Sequence, residues 1–158
     1  MKTDLDRQPA PKLPGARLLG VIAPYYRAIA DELRAGAERA AAEAEASIEF
    51  ITVPCAFEIP AAIAFAARQK AHDGFVALGC VVRGQTSHYD YVCGESARGL
   101  MELSIRKRLA IGYAILTVNT IEQAQERASL TRGDKGGEAA RAALAMIALK
   151  RRFADASQ

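Results

Sequence analysis

The sequence has no tryptophan, and only three of its 158 residues are cysteine. Because that number is odd and the spacing does not fit a zinc site, we expect Cys55, Cys80 and Cys93 to be free thiols in a reducing compartment. No apolar run approaches the roughly 18 residues of a membrane span. Residues 1–12 are polar and lack the apolar centre of a signal peptide. The sequence therefore predicts a cytoplasmic protein that does not enter a membrane.

Neither positive nor negative charge is in large excess. Lys and Arg total 21 and Asp and Glu total 18, a formal charge of +3, which is too small to predict a nucleic-acid surface. Hydrophobic residues make up 51% of the chain and charged residues 25%, enough for a core that needs no disulfide or metal. This length accommodates one domain. We assign the domain to residues 15–158, after a flexible, proline-bearing arm over residues 1–14.

From residue 17 onward, short apolar runs alternate with longer segments of helical periodicity. The apolar runs predict strands over residues 18–23, 48–53, 75–82 and 111–118. Periodicity and capping residues predict helices over residues 27–46, 60–71, 87–109, 120–128 and 138–153. Ser87 with Asp90 and Thr120 with Gln123 are predicted capping pairs. Gly133, Gly136 and Gly137 are expected to break the chain before the last helix.

The order of these elements predicts the fold class. Three strand–helix–strand units in succession require a parallel sheet. Right-handed crossovers then place helices on both of its faces. We therefore expect an α/β protein, a flavodoxin-like three-layer αβα sandwich around a four-stranded parallel sheet.

In such sheets, ligands bind beyond the carboxyl ends of the strands. The segments that follow the four predicted strands are residues 24–27, 54–58, 83–88 and 119–120. They bring aromatic rings, a carboxylate and one of only two histidines to one edge of the sheet. This concentration predicts a binding site at that edge.

Among these segments, residues 83–88 give the most specific indication of what binds at this edge. Gly84 frees the backbone ahead of a helix N-terminus, whose amides and dipole favour an anion, and Thr86 adds a hydroxyl donor. The segment lacks the lysine and glycine spacing of a nucleotide-binding P-loop. An ordinary capped turn is the alternative interpretation. His88, in the first helical turn, is a candidate proton-transfer group, or else a solvated histidine.

Three further positions have a functional and a structural interpretation. Phe57 and Tyr25 are candidates to stack on a planar ligand, although a tyrosine at a strand end often only packs. Glu58 is a candidate for the polar edge of that ligand, or a carboxylate that favours the start of a helix. Arg127 and Lys135 flank residues 129–134 and suit a phosphate group, or are solvated charges.

Several spaced motifs follow one another along nearly the whole chain. They are Ala56-Phe57-Glu58-Ile59-Pro60, the run from Gly79-Cys80-Val81-Val82-Arg83-Gly84 through Gln85-Thr86-Ser87-His88-Tyr89-Asp90-Tyr91-Val92, Ile115-Leu116-Thr117, Glu122-Gln123-Ala124, Arg127 and Asp134-Lys135-Gly136. With these motifs in this order, the sequence resembles the lumazine synthases over about residues 18–153.

The resemblance implies the condensation of 5-amino-6-ribitylaminouracil with 3,4-dihydroxy-2-butanone 4-phosphate. The implied product is 6,7-dimethyl-8-ribityllumazine, formed in the penultimate step of riboflavin biosynthesis with loss of phosphate and water. No metal and no organic cofactor is implied. The implied assembly is a homopentamer, or a larger assembly of pentamers, with active sites between subunits. An N-terminal strand from a neighbouring subunit would then extend the sheet.

The resemblance also implies roles for individual residues. Tyr25 would stack on the heterocycle, and the strand end at Val81 would hydrogen-bond to the pyrimidine edge. Ala56, Phe57 and Glu58 would hold the pyrimidine and the ribityl chain, and Val82 would belong to the same strand end as Val81. Gln85 and Thr86 would bind phosphate, and His88 would transfer protons. The adjacent subunit would supply Tyr113, Arg127 and Lys135, with Arg127 at the phosphate.

Three other functions compete with this interpretation. A lumazine- or flavin-binding paralogue would keep the fold and the pocket without catalysis. A generic flavodoxin-like FMN-binding protein would need a phosphate loop after the first strand, where Tyr25-Tyr26-Arg27 has neither glycine nor a Ser/Thr cluster. A purely structural shell protein would not need His, Glu and Arg side chains at one edge.

Overall fold

The computed structural model describes residues 9–157 and confirms the α/β sandwich. The strands are β1 (Arg17–Ile22), β2 (Ser47–Thr52), β3 (Gly74–Val82) and β4 (Ile111–Val118). The helices are α1 (Arg27–Glu43), α2 (Ile59–Ala67), α3 (His88–Arg106), α4 (Ile121–Ala128) and α5 (Lys135–Asp155), with a 3-10 turn (Ala56–Glu58) directly before α2. All strand pairs are parallel, in the order β2-β1-β3-β4.

The sheet separates two apolar cores. Val76 and Leu78 of β3 point to the side covered by α1, α4 and α5, whereas Phe75 and Ala77 point to the side covered by α2 and α3. The first seven residues of β3 are all buried, as expected for a central strand covered on both faces. The helical periodicity predicted for α1 is confirmed, because Leu33 and its apolar neighbours along that helix are buried. Burial on both faces makes β3 the rigid element from which the loops at the sheet edges project.

Three helices end earlier than their sequence predicts. The observed last residues are Glu43, Ala67 and Arg106, where the pattern extended each helix to 46, 71 and 109. A residue with positive φ follows each helix: Glu45 (60°), Lys70 (54°) and Arg108 (54°). Glycine is the usual residue in this left-handed position and marks a helix end in a sequence. Because charged residues occupy the position here, the pattern carried no stop signal.

The last helix begins earlier than predicted. α5 starts at Lys135 and includes Gly136 and Gly137, so the expected glycine break at these two positions is wrong. A β-carbon on Gly136 would overlap the carbonyl oxygen of Leu33, and one on Gly137 would overlap the carboxylate of Asp134. The two glycines therefore allow the first turn of α5 to pack closely against α1 instead of interrupting a helix.

One of the two predicted capping pairs is confirmed. At the start of α4, the backbone N–H of Gln123 donates to Thr120 Oγ1 (3.3 Å), and Gln123 Oε1 accepts from the N–H of Asn119 (2.9 Å). The pair at the start of α3 is wrong, because the Ser87 side chain makes no capping hydrogen bond. Asp90 instead lies 3.5 Å from the guanidinium of Arg83.

The predicted N-terminal arm lies outside the described residues as far as residue 8. Closer to β1, Leu13 N–H donates to the carbonyl of Ala44 (2.9 Å) and Lys12 Nζ donates to the carbonyl of Glu43 (2.6 Å). These contacts attach the chain before β1 to the C-terminal end of α1. Within residues 9–157, no helix combines the length and the apolar character needed to cross a membrane.

A buried carboxylate joins α1 to α5. Asp134 is 9% exposed and has a φ of 47°. Its Oδ2 atom accepts from Arg39 of α1 and from Arg141 of α5, both at 2.9 Å. Charge-assisted bonds of this kind are stronger than neutral ones and offset part of the desolvation cost. The other oxygen, Oδ1, is buried without a hydrogen-bond partner among residues 9–157.

We expect Asp134→Ala to lower the free energy of unfolding by about 3 kcal/mol, because it leaves two partly buried arginines without their shared partner. The measurement is the urea midpoint followed by circular dichroism. Glu38→Ala is the matched control: it removes the exposed partner of Arg34 and should change stability by no more than about 0.5 kcal/mol. Equal shifts for the two variants would contradict the assigned role of Asp134.

Candidate active site

A cavity of about 170 Å³ opens at the carboxyl edge of the sheet, the edge at which the strands end. Five of the residues identified in the sequence line this cavity. They are Tyr25, Ala56, Val81, Val82 and His88. They come from the ends of β1 and β3, from the 3-10 turn and from the first residue of α3. The cavity therefore brings together segments that are widely separated in sequence.

Two aromatic rings stand on one side of the cavity. Tyr25 is 73% exposed, and its ring meets that of Tyr26 edge to face at a centroid distance of 5.0 Å. Tyr26 is half-buried at the N-terminus of α1 and packs against the core. It therefore supports an exposed tyrosine ring whose face is available to a planar ligand.

Arg83 connects three elements at this edge. Its Nε donates to the side-chain oxygen of Asn119 after β4 (3.1 Å), and its Nη1 lies 3.5 Å from the Asp90 carboxylate. Its guanidinium also stacks over the ring of Tyr89, 4.2 Å from the centroid. These contacts hold the ends of β3 and β4 against the start of α3.

The loop between Arg83 and α3 presents unused donors. Thr86 Oγ1 accepts from the N–H of His88 (3.4 Å). In the described part of the chain, no hydrogen bond uses the N–H of Gln85, Thr86 or Ser87, and all three residues are exposed. Free N–H groups beside a helix N-terminus are suited to bind an anion.

Two polar groups of the cavity, Cys80 and Tyr26, have a raised pKa. Burial, with a smaller contribution from Cys93, raises the pKa of Cys80 to about 11. Burial also raises the pKa of Tyr26, with smaller contributions from Cys80 and Tyr25. Both groups are therefore neutral at physiological pH. Histidine is the side-chain type that changes charge near neutrality, and His88 is the one histidine that lines this cavity.

Phe57 and Glu58 lie beside the cavity in the 3-10 turn and do not line it. The Phe57 ring is 54% exposed. Glu58 Oε2 is buried, and it has no hydrogen-bond partner among residues 9–157. An unpaired buried carboxylate oxygen is costly, so this atom is suited to accept a donor from a ligand or a neighbouring molecule.

Three of the predicted site residues lie away from the cavity of their own chain. Tyr113 is half-exposed on β4, where burial, with smaller effects of Cys93 and Tyr89, raises its pKa. Arg127 donates to the carbonyl of Gln123 within α4 (3.1 Å). Lys135, at the start of α5, forms an ion pair with Glu138.

The cavity also contains residues that the sequence had not singled out as site residues. They are Ala23, Tyr26, Cys55, Cys80 and Val92. Weak signals were available for several of them. Tyr26 and Cys55 lie in the loops that follow β1 and β2. Val92 lies one helical turn after His88, and Cys80 is two residues before Val82 on the same face of β3. Among the described residues, no group of three or more His, Cys, Asp or Glu side chains could hold a metal ion.

Comparison with known proteins finds a family model and several proteins that are similar to this chain. A family model described as 6,7-dimethyl-8-ribityllumazine synthase matches residues 15–151. A protein of that name from Methylobacterium radiotolerans is 56% identical over 141 residues, which cover 89% of this chain and 86% of the relative. One from Bartonella tribocorum is 57% identical over 139 residues, 87% of this chain and 92% of the relative. One from Bartonella bacilliformis is 52% identical over 140 residues.

Proposed function

This chain belongs to the 6,7-dimethyl-8-ribityllumazine synthase family, and from that premise we infer that the cavity at the carboxyl edge is where its substrates react. The enzyme is a transferase of riboflavin biosynthesis. It condenses 5-amino-6-ribitylaminouracil with 3,4-dihydroxy-2-butanone 4-phosphate to 6,7-dimethyl-8-ribityllumazine and releases phosphate and water. The match of the family model to residues 15–151 carries this assignment.

The heterocyclic substrate binds between the exposed aromatic rings in this proposal. Tyr25 stacks on the uracil ring, which its exposure of 73% supports. The backbone of Val81 and Val82, the last two residues of β3, hydrogen-bonds to the pyrimidine edge. Ala56, Phe57 and Glu58 hold the ribityl chain and the pyrimidine. The buried, unpaired Oε2 of Glu58 supports this role, because it can accept a hydrogen bond from a hydroxyl or N–H group of the substrate.

The phosphate of the second substrate binds at the start of α3. The free N–H groups from Gln85 to Ser87 support this placement, as does the positive end of the helix dipole. Thr86 contributes its hydroxyl group. Arg127 of an adjacent subunit supplies a positive charge at the same phosphate, with Tyr113 and Lys135 from that subunit nearby.

The residues at this edge and Arg127 of the adjacent subunit then carry out the reaction in this proposal. The ring amine attacks the ketone, and loss of water forms a Schiff base. The phosphate then leaves as an anion. The N–H groups of the loop and the guanidinium of Arg127 stabilise its charge. Loss of the phosphate leaves an enol, which tautomerises to a ketone. The ribityl amine attacks this carbonyl carbon, and loss of a second water closes the second ring. His88 accepts and returns protons in these steps, and orientation of the two substrates supplies much of the rate.

The proposed assembly is a pentamer, or a larger assembly of pentamers, in the cytoplasm. Large apolar side chains are exposed on the α2 and α3 layer of the monomer: Phe57, Phe65, Tyr91, Met101 and Ile105. An exposed apolar surface of this kind is typical of a protein–protein interface. β2 is an edge strand, so an N-terminal strand of a neighbour could extend the sheet. The three free thiols support a reducing compartment.

We expect His88→Ala to lower kcat about 100-fold, which is typical for loss of a general acid–base group, while activity remains above the uncatalysed rate. The remaining activity comes from orientation of the substrates. The measurement is the absorbance of the lumazine product, with assembly and unfolding midpoint checked for each variant. A wild-type kcat in the variant would remove His88 from the mechanism.

We expect Arg127→Ala to raise the KM for the butanone phosphate about tenfold, because one charge-assisted contact to the phosphate is lost. The KM for the ribitylaminouracil should change little. Arg152→Ala is the matched control, since it removes an exposed arginine near the end of α5. An unchanged KM for the phosphate substrate in Arg127→Ala would exclude Arg127 from the phosphate site.

A further inference from the structure

A second and larger cavity, of about 460 Å³, lies at the amino edge of the sheet, the edge at which the strands begin. It shares no lining residue with the cavity at the carboxyl edge. Four cationic side chains and a single carboxylate line it. They are Lys70, Lys107, Lys150, Arg151 and Asp73, and His72 lies beside them.

The fold explains why these cations meet. Helices α2 and α3 end at the amino edge because each returns the chain to the start of the next parallel strand. The last part of α5 also lies there, since Lys150 and Arg151 contact Arg108 and Asp73. The C-terminal end of a helix carries a partial negative charge that favours lysine and arginine. Lys107 is the C-cap of α3, Lys70 follows α2, and Lys150 lies near the end of α5. Three helix ends therefore deliver their positive charges to one concave surface.

Most of this positive charge is not neutralised. Arg151 lies 3.6 Å from Asp73 Oδ1, while Oδ2 of the same carboxylate accepts from the N–H of Arg17 (2.7 Å). Lys150 Nζ donates to the carbonyl of Arg108 (2.7 Å), which fixes its position without removing its charge. Lys70 and Lys107 have no acidic partner among residues 9–157.

The floor of the cavity is apolar. Phe75, Leu109 and Ile147 line it together with Ala67, and Phe75 and Ile147 belong to the two cores of the protein. The His72 ring lies 6.2 Å from that of Phe75, and its Nε2 atom contacts the carboxylate of Glu49. Its side chain is 12% exposed. A ligand here would meet rings and aliphatic carbon below and ammonium groups at the opening.

We propose that this cavity is a second binding site, for a small organic phosphate with an aromatic or apolar body. The volume lies in the range of ligand pockets for small molecules. Lysine ammonium groups bind phosphate as mobile point charges, and the apolar floor distinguishes an organic phosphate from the inorganic ion. This site is separate from the phosphate loop before α3, so its ligand does not have to be a substrate of the reaction.

The two histidines of the chain allow each site to be observed separately, since His72 lines the second cavity and His88 the first. The assembled protein, labelled with ¹³C-histidine, is titrated with phenyl phosphate, inorganic phosphate and phenol while the two imidazole resonances are followed. We expect phenyl phosphate to shift the His72 resonance in a saturable manner. Inorganic phosphate should bind there more weakly, and phenol should bind least.

The double variant Lys70→Gln, Lys107→Gln should weaken the binding of phenyl phosphate reported by His72 about tenfold or more. The control is Lys12→Gln, Arg34→Gln, which removes the same charge from positions that do not line the cavity. It should leave that binding unchanged. A His72 resonance that does not respond, or an equal loss in both double variants, would overturn the proposal. A response of His88 alone would overturn it while leaving the proposed function intact.

Discussion

All four strands run parallel, so every connection has to return from the carboxyl edge of the sheet to its amino edge. The chain makes each return with a helix. The strand ends and the N-termini of α1, α2 and α3 therefore share one edge, and the strand starts and the C-termini of these three helices share the other. Free N–H groups, tyrosine rings and His88 lie at the carboxyl edge, whereas lysines lie at the amino edge. Two cavities of different chemical character follow from this one constraint.

The residues proposed to complete a neighbour's site depend on the packing of α1 against α5. Asp134 holds the two helices together through Arg39 and Arg141, and its N–H donates to the carbonyl of Ser129 (2.8 Å). That bond closes the loop between α4 and α5. Arg127 and Lys135 stand at the two ends of this loop, so their relative position is set by a contact of the core. A loss of stability at Asp134 would therefore also disturb the two residues proposed to complete the neighbour's site.

The order of the elements and the edge that carries the site could be predicted from the sequence, because buried parallel strands leave a strong apolar signal and ligands bind where such strands end. The helix ends could not, since Glu45, Lys70 and Arg108 occupy left-handed positions where glycine is the usual signal. The contacts of Arg83 with Asn119, Asp90 and Tyr89 join residues that no local pattern connects. For the same reason, the second cavity forms only when three helix ends meet in space.

The central claim is that one subunit supplies His88 and its neighbour supplies Arg127. The most direct test mixes His88→Ala and Arg127→Ala subunits in equal amounts, by co-refolding, and measures lumazine formation by absorbance. The assay uses the butanone phosphate well below its KM, where each variant alone is weakly active. In a closed ring with sites between subunits, random mixing leaves both residues intact at about a quarter of the sites, so activity should rise to about a quarter of the wild-type rate. An activity equal to the average of the two separate variants would contradict the account.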